Sequence, residues 1–217
     1  MIEIRDLKKK YGERTVLDIP LLQIDCGSST VLAGANGSGK TTLIKILAGT
    51  LKATEGSLAL PQKIRYLPQQ SYAFRGDLIK NITLTGADES TALRLLEIME
   101  LAHLKEKKAS SLSGGELQRL SLCRVLAQKS DLLLLDEPTS SCDARGTQIV
   151  LNAINSYRKE NDCTLIMSTH SPLLASAGGE RLIILSDGEI VADGVPKEIL
   201  THPESEWAKS FIAGWKI

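Results

Sequence analysis

Gly34-Ala35-Asn36-Gly37-Ser38-Gly39-Lys40-Thr41 follows the pattern G-x-x-x-x-G-K-[ST]. The β-rich run Ser29 to Ala33 precedes it, and Leu43, Ile46, Leu47 and Leu51 follow at helical spacing, predicting a helix over residues 41–51. Strand, glycine-rich loop, helix is the order that phosphate binding needs. Glycines let backbone N–H groups curl around phosphate oxygens, and the helix N-terminus adds partial positive charge. In this arrangement Lys40 reaches the β and γ phosphates and Thr41 ligates Mg²⁺.

Alternation at Ile2 and Ile4 and at Val16, Leu17 and Ile19 predicts strands broken by a turn at Tyr11-Gly12. Short strands are expected over 57–60 and 63–67, with Pro68 ending the second. From about 71 to 108 the chain turns helical and more polar, with Leu93, Leu96, Ile98, Met99 and Leu101 as its apolar stripe. A helix starting near Gly115, a buried strand over 132–135, a helix over 144–159 and a strand over 164–168 come next. A hairpin turns at Asp187-Gly188, and short helices are expected near Trp207 and Trp215. Strands alternating with helices imply an α/β fold with a mainly parallel sheet covered on both faces. The expected organisation is one domain over 1–217: a core with an N-terminal antiparallel β subdomain (1–70 and 126–217) and an inserted helical subdomain (71–125).

The 217 residues carry 26 Lys plus Arg against 26 Asp plus Glu, so no domain-wide positive field exists for nucleic acid or anionic lipid. Bound phosphate must be held locally. Apolar runs such as Leu132 to Leu135 fall far short of the roughly 18 residues a membrane-spanning helix needs. The start, Met-Ile-Glu-Ile-Arg-Asp-Leu-Lys, lacks the apolar core of a secretory signal, so a cytoplasmic chain is expected. Cys26, Cys123, Cys142 and Cys163 are scattered, and small buried thiols are the expectation rather than disulfides or a zinc site.

Leu132-Leu133-Leu134-Leu135-Asp136-Glu137 is an apolar strand ending in two carboxylates. In a parallel sheet ligands bind beyond the carboxyl ends of strands, so both acids are expected to face the phosphate loop. Asp136 would hold Mg²⁺ through its hydration shell, and Glu137 would act as general base on the attacking water. Leu112-Ser113-Gly114-Gly115-Glu116 reads first as a capping box, Ser113 with Glu116 three residues later. Its two glycines also leave a helix N-terminus that admits a phosphate closely.

Taken together, these motifs resemble the nucleotide-binding subunits of ATP-binding cassette (ABC) transporters, a P-loop NTPase family whose signature is the Leu-Ser-Gly-Gly-Glu stretch. The resemblance covers essentially the whole chain. It implies ATP and Mg²⁺ as cofactors and a head-to-tail homodimer. Each ATP would lie between Gly34, Asn36 to Thr41 and Thr42 of one protomer and Ser113, Gly114, Gly115 and Glu116 of the other. It implies Tyr11 as the adenine-stacking aromatic, against the alternative of a strand-end tyrosine. Gln69, with Gln70 beside it, resembles the glutamine that senses Mg²⁺ and water and links to the membrane subunit. Asp143 matches the loop crossing the dimer interface, a role compatible with helix N-capping. His170 matches the histidine contacting the γ-phosphate.

Two departures stand out. The 56–66 stretch is short for the family, which implies a trimmed antiparallel sheet. Cys142 stands where leucine or alanine is usual, as a small filler or a redox switch.

The function implied is ATP hydrolysis driving separate transmembrane permease subunits from the inner face of the membrane, most simply in a prokaryotic importer of an oxyanion, metal ion or amino acid with a solute-binding protein. An exporter, or a mechanical or regulatory switch on a membrane partner, is the alternative. Of only eight aromatic residues, Tyr72 and Phe74 fall together before Leu78, Ile79 and Ile82, either as core packing or as a groove for a helix of the permease.

Overall fold

The structure is a computed structural model that describes residues 1–203 and 206–214. Strand β1 (Ile2–Tyr11) turns at Gly12, which takes a left-handed φ of 59°, and pairs antiparallel with β2 (Arg14–Ile24). After β3 (Ser29–Ala33) and helix α1 (Lys40–Leu47), β4 (Glu55–Ala59) returns to β1, giving a small sheet of order β2-β1-β4. This sheet is three-stranded. Helix α1 stops at Leu47 rather than Leu51 because Gly49 turns left-handed (φ 70°) and the N–H groups of Thr50 and Leu51 fold back on the Lys45 carbonyl.

Strand β5 (Ile64–Leu67) opens the main sheet and is followed by α2 (Leu78–Thr83), α3 (Glu89–Ile98) and α4 (Gly114–Leu126). Residues 71–77 stay non-helical. Asp77 and Asp88 cap α2 and α3, each accepting a backbone N–H at 2.7 Å. Then come β6 (Leu132–Asp136), α5 (Ala144–Asn161), β7 (Thr164–Ser168), α6 (Pro172–Ala177), β8 (Arg181–Ser186) and β9 (Glu189–Gly194). Helices α7 (Pro196–Thr201) and α8 (Glu206–Gly214) close the described chain, and the expected helix near Trp215 lies outside it.

The main sheet has the order β5-β6-β7-β3-β8-β9, parallel except for β9. Its central strands are buried on both faces, which is why they read as unbroken apolar runs. Alternation divides them between two cores. Leu133, Leu135, Leu165 and Met167 meet α2, α3, α4 and α5, whereas Leu132, Leu134 and Ile166 meet α1 and the antiparallel sheet. The helical segment therefore shares its core with one face of the sheet. Among the described residues no helix is long and apolar enough to cross a membrane.

Burial of the thiols divides the cysteines. Cys123 is fully buried and its pKa is pushed up to about 12 by desolvation, and burial also raises those of Cys163 and the half-buried Cys142. Cys26 breaks the expectation of buried thiols: it is exposed, because it lies in the turn after β2, and it accepts from the Met1 amine at 2.7 Å. A thiol-reactive reagent applied to the native protein is therefore expected to modify Cys26 first and Cys123 only on unfolding, as peptide mapping would read.

Candidate functional site

The glycine-rich loop leaves β3 in the middle of the sheet and enters α1. Gly34, Gly37 and Gly39 take φ of 147°, 84° and 106°, conformations open to glycine and costly for other residues. Two of them are also sterically confined. A Cβ at Gly34 would lie 2.3 Å from the Leu185 carbonyl, and one at Gly39 would lie 2.6 Å from Leu17 Cδ2. A Cβ at Gly37 would meet nothing within 4 Å. The β8–β9 turn braces the loop, Gly188 N–H donating to the Ser38 carbonyl at 3.1 Å. No side chain caps α1, so its first N–H groups are available to an anion.

Lys40 curls back over this loop, its Nζ donating to the carbonyls of Gly34 (2.7 Å) and Ala35 (3.0 Å). Burial lowers its pKa from the ordinary lysine value, opposed by the nearby charges of Glu137 and Asp136. The loop lines a cleft of about 500 Å³ together with Thr41, Thr42, Gln69, Glu137, Arg14 and Val16.

Strand β6 delivers the acid pair to the same edge. Asp136 is fully buried, and its Oδ1 accepts from Thr41 Oγ1 at 3.1 Å and from Ser168 Oγ at 2.6 Å, while Oδ2 is buried without a partner. Glu137 turns the chain with a left-handed φ of 52° and its Oε2 meets His170 Nδ1 at 2.9 Å. His170 follows β7, the strand beside β6, and its side chain is 62% exposed. Tyr66 is neighbour to this acid: burial, with a smaller contribution from Asp136, pushes its phenol up to about 12.

The remaining positions lie elsewhere. Ser113 caps α4 as a complete capping box, accepting from Glu116 N–H while the Glu116 carboxylate accepts from the Ser113 N–H at 2.7 Å. The bonds that the Glu116 carboxylate accepts from the Ser113 N–H and the Ser113 hydroxyl hold it below its ordinary range. The 113–116 stretch does not line the phosphate cleft of its own chain, and a Cβ at Gly115 would lie 2.9 Å from the Ser141 carbonyl. Asp143 caps α5, its Oδ1 accepting from Gly146 N–H at 2.7 Å. Tyr11 is 55% exposed, with Lys9 Nζ 4.9 Å from its ring centroid, and does not line the cleft. Gln69 and Gln70 part company: Gln69 lines the cleft and Gln70 the neighbouring groove.

That groove, about 570 Å³, is lined by Tyr72, Phe74, Leu84 and Arg124 among others. Tyr72 and Phe74 meet edge to face at 5.2 Å and both lie over the Arg124 guanidinium, which also donates to the Tyr72 carbonyl at 2.6 Å.

Arg14 and Val16, which reach the cleft through the β1–β2 hairpin, carry no functional signal along the chain, and neither does the buried pair Gln118 and Ser168 at Glu137. Ser71-to-Gln118 spacing gave no signal, since the two meet only through folding.

A family model described as ABC transporter matches residues 17–140, which include the phosphate loop, the signature stretch and the acid pair. The chain belongs to the ABC transporter family. The zinc import ATP-binding protein ZnuC 2 of Aliivibrio fischeri is 33% identical over 210 residues, taking in 94% of this chain and 86% of the relative. The sulfate/thiosulfate import ATP-binding protein CysA of Shigella flexneri is 30% identical over 235 residues, covering 97% of this chain and 64% of the relative. A solved dimeric structure of the ATP-binding cassette MJ0796, in a post-hydrolysis state with ADP and Pi, superposes with a TM-score of 0.82 at 26% identity, covering 90% of this chain and 99% of that one. Fold and motif order thus agree: this ABC cassette has the P-loop NTPase fold, binds nucleotide and is an ATPase.

Proposed function

We propose that this cassette hydrolyses ATP to drive a prokaryotic importer of a small inorganic solute, a metal ion or an oxyanion. The observation that carries the hydrolysis is the convergence of Thr41, Asp136, Glu137 and His170 on the mouth of the phosphate loop, at the carboxyl ends of three adjacent strands. Import of such solutes is the work named for the ZnuC and CysA relatives.

A divalent cation fits this site. Asp136 Oδ2 is a buried carboxylate oxygen with no partner, and the adjacent Thr41 hydroxyl is a neutral oxygen donor. Mg²⁺ would be held by Thr41 and, through water, by Asp136, with Gln69 at the cleft wall, and would neutralise phosphate charge. Lys40 exchanges its loop carbonyls for the β and γ phosphate oxygens, and the uncapped turn of α1 supplies Thr41 and Thr42 N–H groups. Glu137 accepts a proton from the attacking water, and His170, hydrogen-bonded to it, faces the γ-phosphate. Tyr11 offers its exposed ring to adenine from the hairpin end.

The capped N-terminus of α4 stands away from its own chain's cleft, which supports a head-to-tail homodimer with Ser113 to Glu116 closing the partner's site and Asp143 at the junction. The Tyr72–Phe74 groove takes a helix of a separate permease, placing the cassette at the inner face of the membrane, and a solute-binding protein completes an importer. The test is co-purification of the permease with tagged cassette. Phe74→Ala, which removes one wall of the aromatic pair, is expected to reduce recovery of the permease about tenfold. An ATPase that recovers no permease would point to a switch rather than a transporter.

A further inference from the structure

The main chain of Glu137 is gripped by two side chains to which the roles above give no part. Its N–H donates to Ser168 Oγ at 3.0 Å, and its carbonyl accepts from Gln118 Nε2 at 3.2 Å. Gln118 and Ser168 are both fully buried. The peptide so held carries the left-handed φ of 52°, which a non-glycine residue keeps only where its surroundings impose it.

The other end of Gln118 is used as well. Its Oε1 accepts from Ser71 Oγ at 3.0 Å, and Ser71 sits on the wall of the aromatic groove, two residues beyond Gln69. The Glu137 carbonyl fixes the sense of the amide: turned over, Gln118 would bring its carbonyl oxygen against the Glu137 carbonyl, two acceptors with no proton between them. Gln118 itself belongs to α4, the helix capped by Ser113. One buried amide therefore joins the signature helix, the groove segment and the peptide of Glu137.

We propose that Gln118 is a positioning residue for ATP hydrolysis. It holds the Glu137 peptide so that the carboxylate meets His170 and faces the cleft, and Ser71 tethers the far end of the amide. The proposal rests on the reading of Glu137 as the group that receives the proton of water. Without Gln118 the Glu137 carbonyl and the Ser71 hydroxyl lose their buried partner, and the strained peptide is free to relax. A shift of about 1 Å in a reacting group is enough to cost on the order of 100-fold in rate. Nucleotide contacts made by the loop and α1 do not pass through Gln118, so the loss falls on kcat.

The experiment is a double-mutant cycle on the full chain, with kcat, KM, ATP affinity and thermal unfolding measured for each variant. Gln118→Leu is expected to lower kcat about 10- to 100-fold with ATP affinity within about twofold. Ser71→Ala is expected to lower kcat in the same sense by about three- to tenfold, a loss of the size of one hydrogen bond. In the Glu137→Gln background, Gln118→Leu is expected to change residual turnover by less than about twofold, because no base remains to be misplaced. Wild-type kcat in Gln118→Leu, or a full multiplicative loss on top of Glu137→Gln, overturns the proposal. Should Gln118→Leu fail to fold, Ser71→Ala at the groove wall decides, and wild-type kcat there overturns it. Wild-type turnover in Glu137→Gln would instead strike the underlying reading of Glu137.

Discussion

Glu137→Gln is expected to cut ATP turnover by about 10²- to 10⁴-fold, the range lost with a positioned general base. The amide retains the shape of the carboxylate and a hydrogen-bonding oxygen for His170, but it does not take a proton at neutral pH. The phosphate loop, Lys40 and Thr41 are untouched, so ATP binding persists. A protein that binds ATP without consuming it accumulates in the ATP-bound form, and size-exclusion chromatography is expected to show a dimer dependent on ATP for this variant alone. Single-turnover measurement of phosphate release checks the first expectation. Turnover within tenfold of wild type would remove Glu137 from the chemistry and leave His170 as the next candidate.

Gly34→Ala is expected to damage the fold rather than the chemistry alone. The new Cβ would sit 2.3 Å from the Leu185 carbonyl, a backbone atom of β8, and 2.6 Å from Ser38 Oγ, at a φ of 147°. Neither the strand nor the loop can give way cheaply. Strain and overpacking together are expected to cost about 2–5 kcal/mol, a fall in melting temperature of roughly 5–15 °C for a domain of this size, with nucleotide binding lost as the loop is displaced. Gly37→Ala is the control. Its Cβ meets nothing within 4 Å, so only the positive φ of 84° opposes it, and a loss near 1 kcal/mol is expected. Calorimetry with and without ATP would separate the two. Equal stabilities would show that the close approach at Gly34 is relieved without cost.

The contrast between these glycines marks how far the residues themselves could be read. Both belong to the same G-x-x-x-x-G-K-[ST] pattern, and nothing in the pattern says that one is wedged against β8 while the other faces the open cleft. The strand-loop-helix order around Lys40 was legible because its signals are local: apolar period, glycine density and helical spacing lie within twenty residues. Asp136 and Glu137 were legible for the same reason, as the polar end of an apolar strand. The exposure of Cys26 is not legible in the sequence because it depends on a turn at the edge of the small sheet, and a scattered cysteine carries no periodicity that shows this. The groove aromatics left two readings open, and packing chose neither wholly: Tyr72 and Phe74 form a pair over Arg124, with Phe74 still 42% exposed.

By itself the chain determined the class of its elements, the nature of its ligand and the two strand ends that would meet it. Periodicity and motif spacing are properties of neighbouring residues and survive without a fold. The placing of β7 between β6 and β3 was decided only by the tertiary structure, because strand order is set by which apolar faces bury one another across the whole sheet. That order brings Ser168 level with Asp136 and His170 within 2.9 Å of Glu137. The same packing presses α4 close enough for Gln118 to reach both Ser71 and Glu137, residues far from each other in the chain. Hydrogen bonds of this kind have no signature along the sequence, since each partner alone is an ordinary polar residue that becomes committed only when burial removes water as its alternative.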